Sequence, residues 1–151
     1  MSTRQFVSEY EKEYREDIAA TLRDGALRHI AARGWTMPDG TSSRVYLLRF
    51  NSTAFTDAFR DACAIGATGG FPLVGVADTD LDISWSGGGK VADTSPYVFT
   101  EAKPYGVAET RQAYVAAGDT LALIVQSRKG GGGTPRVPFH QTVILQNQLL
   151  G

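Results

Sequence analysis

A glycine-rich stretch with a lysine, SWSGGGKVADTS at Ser84 to Ser95, contains residue types that can bind phosphate. A Walker-type phosphate loop has the pattern G-x-x-x-x-G-K-[ST], in which backbone N–H groups surround the phosphates and the lysine contacts them. With Gly89 and Lys90 in register, Ser84 stands where the first glycine belongs and Val91 where the hydroxyl belongs. Two of the four fixed positions of the pattern are therefore not matched. We expect a connecting loop and not a phosphate-binding loop.

A second glycine run, SRKGGGGTPR at 127–136, places cations around four glycines. Consecutive backbone N–H groups beside cations can form an anion-binding nest, whereas a solvated connector explains the same composition without a ligand. If the two glycine loops face each other, they form one flexible rim where a ligand or partner would bind. The candidate rim residues are Lys90, Arg128, Lys129, Arg136 and His140.

Three aspartates at alternate positions, Asp78, Asp80 and Asp82, resemble the opening of a calcium-binding loop. Such a loop also needs glycine at its sixth position and glutamate at its twelfth, where this chain has Ile83 and Gly89. We therefore expect the aspartates on a solvated strand edge or turn, and we predict no metal and no cofactor.

The nucleophile and base candidates are few, because the chain has one cysteine and two histidines. Cys63 lies beside the apolar stripe of a predicted helix, which favours an inert, packed thiol. His29 lies near a predicted helix end, where capping explains it. His140 is the more interesting histidine, but the sequence marks no partner for it, which favours a structural role. We predict no catalytic residue and no enzyme; a small hydrolase using His140 and an aspartate is the less favoured alternative.

The length of 151 residues is that of one domain, and 42% hydrophobic with 21% charged residues is typical of a globular protein. A net charge of −1 gives no basic field for nucleic acid, and a single cysteine excludes an internal disulfide. The apolar runs are too short to cross a membrane, and the polar N-terminus lacks the apolar core of a signal peptide. The chain as written is expected to be cytoplasmic, or extracytoplasmic if a leader or anchor has been removed.

The first 33 residues favour helix, since apolar residues recur every fourth position from residue 10 to residue 30. The helix is predicted over 4–33, with Gly34 as its stop and a possible division at Gly25. Thirty helical residues span about 45 Å, so residues 1–13 are expected to project from the body and to pack on a neighbouring copy or protein partner.

The remaining chain favours strands with one short helix between them. A strand is predicted at Arg44 to Phe50, followed by a helix capped by Asn51 or Ser52, whose buried stripe is Phe55, Ala58, Phe59 and Ala62. Further strand predictions, closing on a hairpin with Gly118 at its tip, are 71–76, 81–85, 97–103, 111–116 and 120–126.

The apolar run Leu121 to Val125 is predicted to lie centrally in the sheet. The tail after Pro138 is predicted to be a helix, although its run Thr142-Val143-Ile144 also suits a strand. These elements predict one α+β domain, 1–151, whose antiparallel sheet of about five to six strands carries a long N-terminal, a short second and a C-terminal helix.

The order of these elements resembles a known group of domains. GWTMPDGTSSRVYLLRF, a short Phe- and Ala-rich helix, RQAYVAAGDTLALIVQSRKGG and a closing VPFHQTVILQNQLL are similar to small sensor-like extracytoplasmic domains of actinobacterial membrane proteins and lipoproteins, some of which sit outside membrane kinases. The resemblance covers roughly residues 18 to 150. It implies an α+β sandwich that binds or senses a ligand and catalyses nothing, and it marks no functional residue.

The sequence thus favours a non-catalytic binding, sensor or interaction domain of unknown ligand, because no catalytic or cofactor constellation is complete in a chain able to fold. The alternative is a structural subunit of a homo-oligomeric assembly, such as a ring, shell or phage particle, joined through the N-terminal helix.

Overall fold

The computed structural model describes residues 1–87, 90–104, 106–130 and 132–151. The helices of this part of the chain are α1 (Thr3–Val7), α2 (Arg15–Asp24), α3 (Thr53–Ala62) and α4 (Arg136–Leu150), with a 3₁₀ turn at Lys12–Tyr14 before α2. The strands are β1 (His29–Thr36), β2 (Ser42–Arg49), β3 (Thr79–Leu81), β4 (Thr94–Glu101), β5 (Ala108–Ala117) and β6 (Thr120–Lys129). The fold is α+β, as predicted.

The six strands form one antiparallel sheet in the order β1-β2-β6-β5-β4-β3. The predicted β5–β6 hairpin is confirmed: Ala117 pairs with Thr120 across a two-residue turn, and Gly118 has a φ of 54° in the left-handed region that glycine enters without steric cost. Strand β6 lies in the interior of the sheet between β2 and β5, so the central placement of Leu121 to Val125 is also confirmed.

Both faces of β6 are covered, which explains why its apolar run does not alternate with polar residues. Leu121 and Leu123 belong to a core with residues of α1, α2 and α3, whereas Ala122 and Ile124 belong to a core with α4. The molecule is therefore built in three layers: α1 to α3, the sheet, and α4.

The predicted helix over 4–33 is wrong. Helix α2 ends at Asp24, Gly25 caps it, and Ala26 has a φ of 49°, so the chain turns and returns as β1. Ile30, the last apolar residue of the four-residue period, is buried in the core, but it lies on strand β1 and not on a helix. Pairing of His29–Thr36 with β2 supplies a hydrogen-bonded ladder that overrides the weak local preference for helix.

The N-terminal segment does not project from the body. Phe6, Val7 and Tyr10 are buried in the core, and the Phe6 ring meets the rings of Tyr10 and Tyr46 edge to face. The Tyr10 hydroxyl lies 3.0 Å from the Tyr114 hydroxyl of β5, so the segment is also tied to the middle of the sheet.

Three smaller predictions need correction. The buried face of α3 is Thr56 and Phe59, and the predicted stripe residues Ala58 and Ala62 are exposed. In place of the predicted strand 71–76, the structure has an isolated β-bridge between Leu73 and Tyr10. The predicted strand 81–85 begins where β3 ends, and its Trp85 backbone N–H closes a turn onto the Asp82 carbonyl.

The helical tail is confirmed as α4, with Phe139, Val143 and Asn147 on its buried face. Strand β4 confirms the strand predicted at 97–103, although it begins at Thr94. The residues outside the described part of the chain are Gly88 and Gly89 of the first glycine loop, Tyr105, and Gly131 of the second glycine loop.

Replacing Phe6 by alanine tests the packing of the N-terminal segment. Because Phe6 is fully buried, we expect Phe6→Ala to lower the free energy of unfolding by about 3–5 kcal/mol, measured by urea denaturation. Arg4→Ala, at an exposed position of the same helix, should change it by less than about 0.5 kcal/mol. Equal stability of Phe6→Ala and the wild type would show that the segment is free of the body.

Candidate functional site

His140, the sequence candidate with no marked partner, has one in the structure. It lies in the second turn of α4, and its Nε2 is 2.7 Å from Oδ2 of Asp82, the residue that follows β3. The Asp82 backbone N–H donates to the Val98 carbonyl of β4 at 2.9 Å, which fixes the position of the carboxylate. The Asp82 side chain is only 4% exposed, so the expectation that all three aspartates are solvated is wrong for Asp82.

The Asp82 carboxylate also receives hydrogen bonds from two other residues. Its Oδ1 accepts the backbone N–H of Ser84 at 2.9 Å and the Ser84 hydroxyl, and Arg111 Nη1 of β5 lies 3.4 Å from Oδ2. Arg111 Nε donates to the Thr134 carbonyl at 2.9 Å, which links the cluster to the chain before α4. Burial raises the pKa of Asp82, but the hydrogen bonds from Ser84 and His140 outweigh it and hold that pKa below its ordinary value.

The hydrogen bonds of this cluster differ from those of a nucleophile–base–carboxylate triad. An activated serine donates its hydroxyl proton to the base, and a carboxylate orients the base from its other side. Here Ser84 donates to the carboxylate instead, and the same carboxylate occupies His140 Nε2. What the cluster does is fasten the segment after β3 to α4, aided by Trp85, whose ring stands edge-on to His140 at a centroid distance of 5.2 Å.

The remaining chemical candidates are Cys63, His29, Asp78 and Asp80. Cys63 is a buried free thiol, and burial raises its pKa to about 12, so it is protonated at neutral pH, as its predicted packed role requires. His29 begins β1 instead of ending a helix. Asp78 and Asp80 are exposed, as predicted. Within the described ranges, no group of three acidic, histidine or cysteine side chains is placed to hold a metal.

The structure separates the predicted rim residues. Arg128 and Lys129 end β6, and Arg136 begins α4. Arg128 Nη1 pairs with Asp39 Oδ2 at 3.5 Å. Lys90 precedes Val91, which lies against Gly151 beyond the far end of α4. A helix of this length spans about 22 Å, so Lys90 is far from Arg136, which begins α4 at the opposite end.

A cleft on the α4 side of the sheet is a further candidate site. Its volume is about 560 Å³. Helix α4 packs on β4, β5 and β6 and leaves the same face of β1 and β2 open beside it. The register places Ala31 opposite Leu47 and Arg33 opposite Val45, so these four side chains share the open face, as does Trp35.

The opposite wall of the cleft is the exposed flank of α4. Leu145 and Leu149 are 58% and 70% exposed, and Thr142 and Gln146 line the same wall. The Thr142 hydroxyl already donates to the Pro138 carbonyl at 2.9 Å and accepts from Gln126 Nε2 at 3.0 Å. The groups of this wall that are available to contact a ligand are therefore mainly apolar.

Sequence reasoning missed this cleft because it assigned residues 29–33 to a helix. The strand could have been suspected from the tryptophan and threonine that follow Gly34, but the open face depends on how far α4 reaches across the sheet. A smaller cavity of about 190 Å³ lies on the other face, where Gln112 Nε2 donates to the Gly69 carbonyl at 2.7 Å.

Comparison with known proteins identifies a similar fold. No family model matches the chain, and no curated protein matches it. The extracellular domain of PknH from Mycobacterium tuberculosis matches with a TM-score of 0.50 at 10% sequence identity, over 86% of this chain and 69% of that chain. This likeness shows the fold, and it agrees at that level with the resemblance to extracytoplasmic actinobacterial domains.

Removing the Asp82 charge tests the cluster. At neutral pH we expect Asp82→Asn to lower the free energy of unfolding by about 2–3 kcal/mol, because the amide loses charge-assisted hydrogen bonds at a buried position. The folded pKa of Asp82 is lowered, so its contribution is present above the ordinary value of 3.8 and lost as the pH falls through the folded pKa. The difference between variant and wild type should therefore shrink in acid, measured by urea denaturation across pH 2–7.

The exposed neighbour Asp80 provides the matched control, and Asp80→Asn should change stability by less than about 0.5 kcal/mol. A stability deficit of Asp82→Asn that stays constant down to pH 2 would contradict the assigned role of the carboxylate.

Proposed function

We propose that this protein is a non-catalytic binding domain that takes a small apolar ligand in the cleft between α4 and the β1–β2 edge of the sheet. The observation that carries the proposal is the cleft itself, whose volume of about 560 Å³ falls within the range of small-molecule sites. Its sheet-side wall is made of strand residues held in register, so the site is preformed rather than assembled by a loop.

The exposure of the lining side chains supports the proposal. Trp35, Leu145 and Leu149 are large apolar residues that stay partly in water around one concave surface. Scattered exposed apolar residues are normal, whereas a grouped set marks a binding surface. A ligand that removes these side chains from water gains roughly 25 cal/mol per Å² of buried apolar surface.

The non-catalytic part of the proposal is supported by the polar cluster. Among the described residues, His140 makes its hydrogen bond to Asp82, and the nearby Ser84 hydroxyl is bonded to that carboxylate and not to the imidazole. A hydrolase that forms a covalent intermediate with His140 as its base would need a nucleophilic side chain in contact with that base. The cluster instead holds together the fold that carries the cleft.

A sensor role and an extracytoplasmic location extend this proposal, and the fold likeness to an extracellular domain supports both. Among the described residues, no helix has the length and apolar composition required to span a bilayer. The alternative of assembly through the N-terminal helix loses its supporting observation, because Phe6, Val7 and Tyr10 face the core of their own chain.

Titration with Nile red, an uncharged dye that brightens in apolar surroundings, tests the proposal. We expect the wild type to bind one dye molecule. Leu145→Gln and Leu149→Gln should each weaken binding about five- to tenfold, since each removes roughly 1 kcal/mol of apolar contact. Both positions are exposed, so the substitutions leave the core unchanged.

Val137→Gln provides the matched control on the same helix, because Val137 is exposed at 56% but does not line the cleft. It should bind the dye as the wild type does. The proposal fails if the wild type binds no dye, or if the two leucine variants and the Val137 variant behave alike.

A further inference from the structure

We infer that the ligand of the cleft is a small amphipathic monoanion, an apolar molecule with one carboxylate, whose charged group pairs with Arg33. This inference rests on the proposed function, since it names the class of ligand for the same site. It is argued from the position of Arg33, from the pairing of the other arginines, and from the composition of the cleft.

Arg33 is placed on the open face of the sheet by the register of β1. It stands opposite Val45 and between Ala31 and Trp35 along its own strand, and it is exposed at the lining of the cleft. The side chains at 31, 33 and 35 share one face because successive strand residues alternate. The guanidinium is therefore presented at a concave apolar surface that is open to solvent.

Most arginines on the strands already have an acidic partner, and Arg33 differs from them. Arg44 pairs with Glu9 at 3.2 Å and Arg49 with Asp119 at 3.1 Å. Arg111 and Arg128 also have partners, Asp82 and Asp39. Over the ranges that the structure describes, Arg33 has no acidic group within ion-pair distance.

The charges along the cleft favour the binding of an anion at Arg33. Arg33 is the charged residue among those that line it, and no aspartate or glutamate is among them. A guanidinium binds a carboxylate through two parallel hydrogen bonds, which orients the anion as well as attracting it. One guanidinium compensates one negative charge, whereas a phosphate dianion would leave a second charge uncompensated at this apolar surface.

The other residues that line the cleft determine the chemistry of the uncharged part of the ligand. From Arg33 the floor continues over Val45 and Leu47, and the wall continues along Leu145 and Leu149. A hydrocarbon chain or ring on this surface would remove apolar area from water while its carboxylate stays at the solvent-exposed guanidinium. Fatty acids of medium length and aromatic carboxylates have this chemistry.

Displacement of Nile red by dodecanoate and by its uncharged counterpart dodecanamide tests the inference, with both ligands used below their aggregation concentrations. The chains are the same length, so their difference reports the charge. For the wild type we expect dodecanoate to displace the dye at an about fivefold lower concentration, the scale of a solvent-exposed ion pair. The preference should disappear in Arg33→Gln and weaken at 1 M salt, where charges are screened within a few ångströms.

Arg23→Gln is the charge-matched control, because Arg23 is exposed on α2 and pairs with the neighbouring Asp24. This variant should keep the preference for dodecanoate. Equal displacement by both ligands in the wild type, or the same preference in Arg33→Gln, would overturn the inference and leave the binding function standing. If the wild type binds no Nile red, the proposed function fails and the inference fails with it.

Discussion

The burial of β6 on both faces is the constraint on which the rest of the structure depends. Residues 121–125 are almost completely buried, and they alternate between two apolar cores on opposite sides of the sheet. A strand of this kind is stable only if each face of the sheet has a covering layer. The N-terminal helices and the connections around them provide one layer, and α4 provides the other.

The two covering layers are unequal, and the cleft is the consequence. The outer strands of a six-stranded sheet lie about 24 Å apart, whereas a helix with its side chains is about 10–12 Å wide. Helix α4 therefore covers β4 to β6, and the Asp82–His140 cluster secures the segment after β3 beside it. The same face of β1 and β2 stays open, so the binding surface follows from covering a wide sheet with one helix.

Local patterns in the sequence were sufficient to predict the elements at the centre of the fold. The β5–β6 hairpin was predictable because its turn chemistry and its apolar strands are adjacent in the chain, and α4 was predictable from an apolar face that follows a proline. Residues 29–33 were not predictable in this way. Their apolar spacing suits a helix, and only pairing with β2 makes them a strand.

The candidate sites were harder to predict because their parts are distant in the chain. Asp82 is separated from Arg111 by 29 residues and from His140 by 58, so three alternating aspartates gave no indication that one of them is buried in a hydrogen-bonded cluster. The cleft combines β1, β2 and α4. It could be recognised only once the sheet order was known, and the fold likeness at 10% identity carries no residue that would have marked it.

The most direct test of the proposed binding function is a ¹H–¹³C methyl NMR spectrum of the protein titrated with 1-octanol. The account predicts saturable shifts confined to the methyl groups that line the cleft, those of Ala31, Ala32, Val45, Leu47, Thr142, Leu145 and Leu149. Saturable shifts confined to Leu73, Val76 and Ala77, which line the smaller cavity on the other face, would contradict it, as would no saturable shift at all.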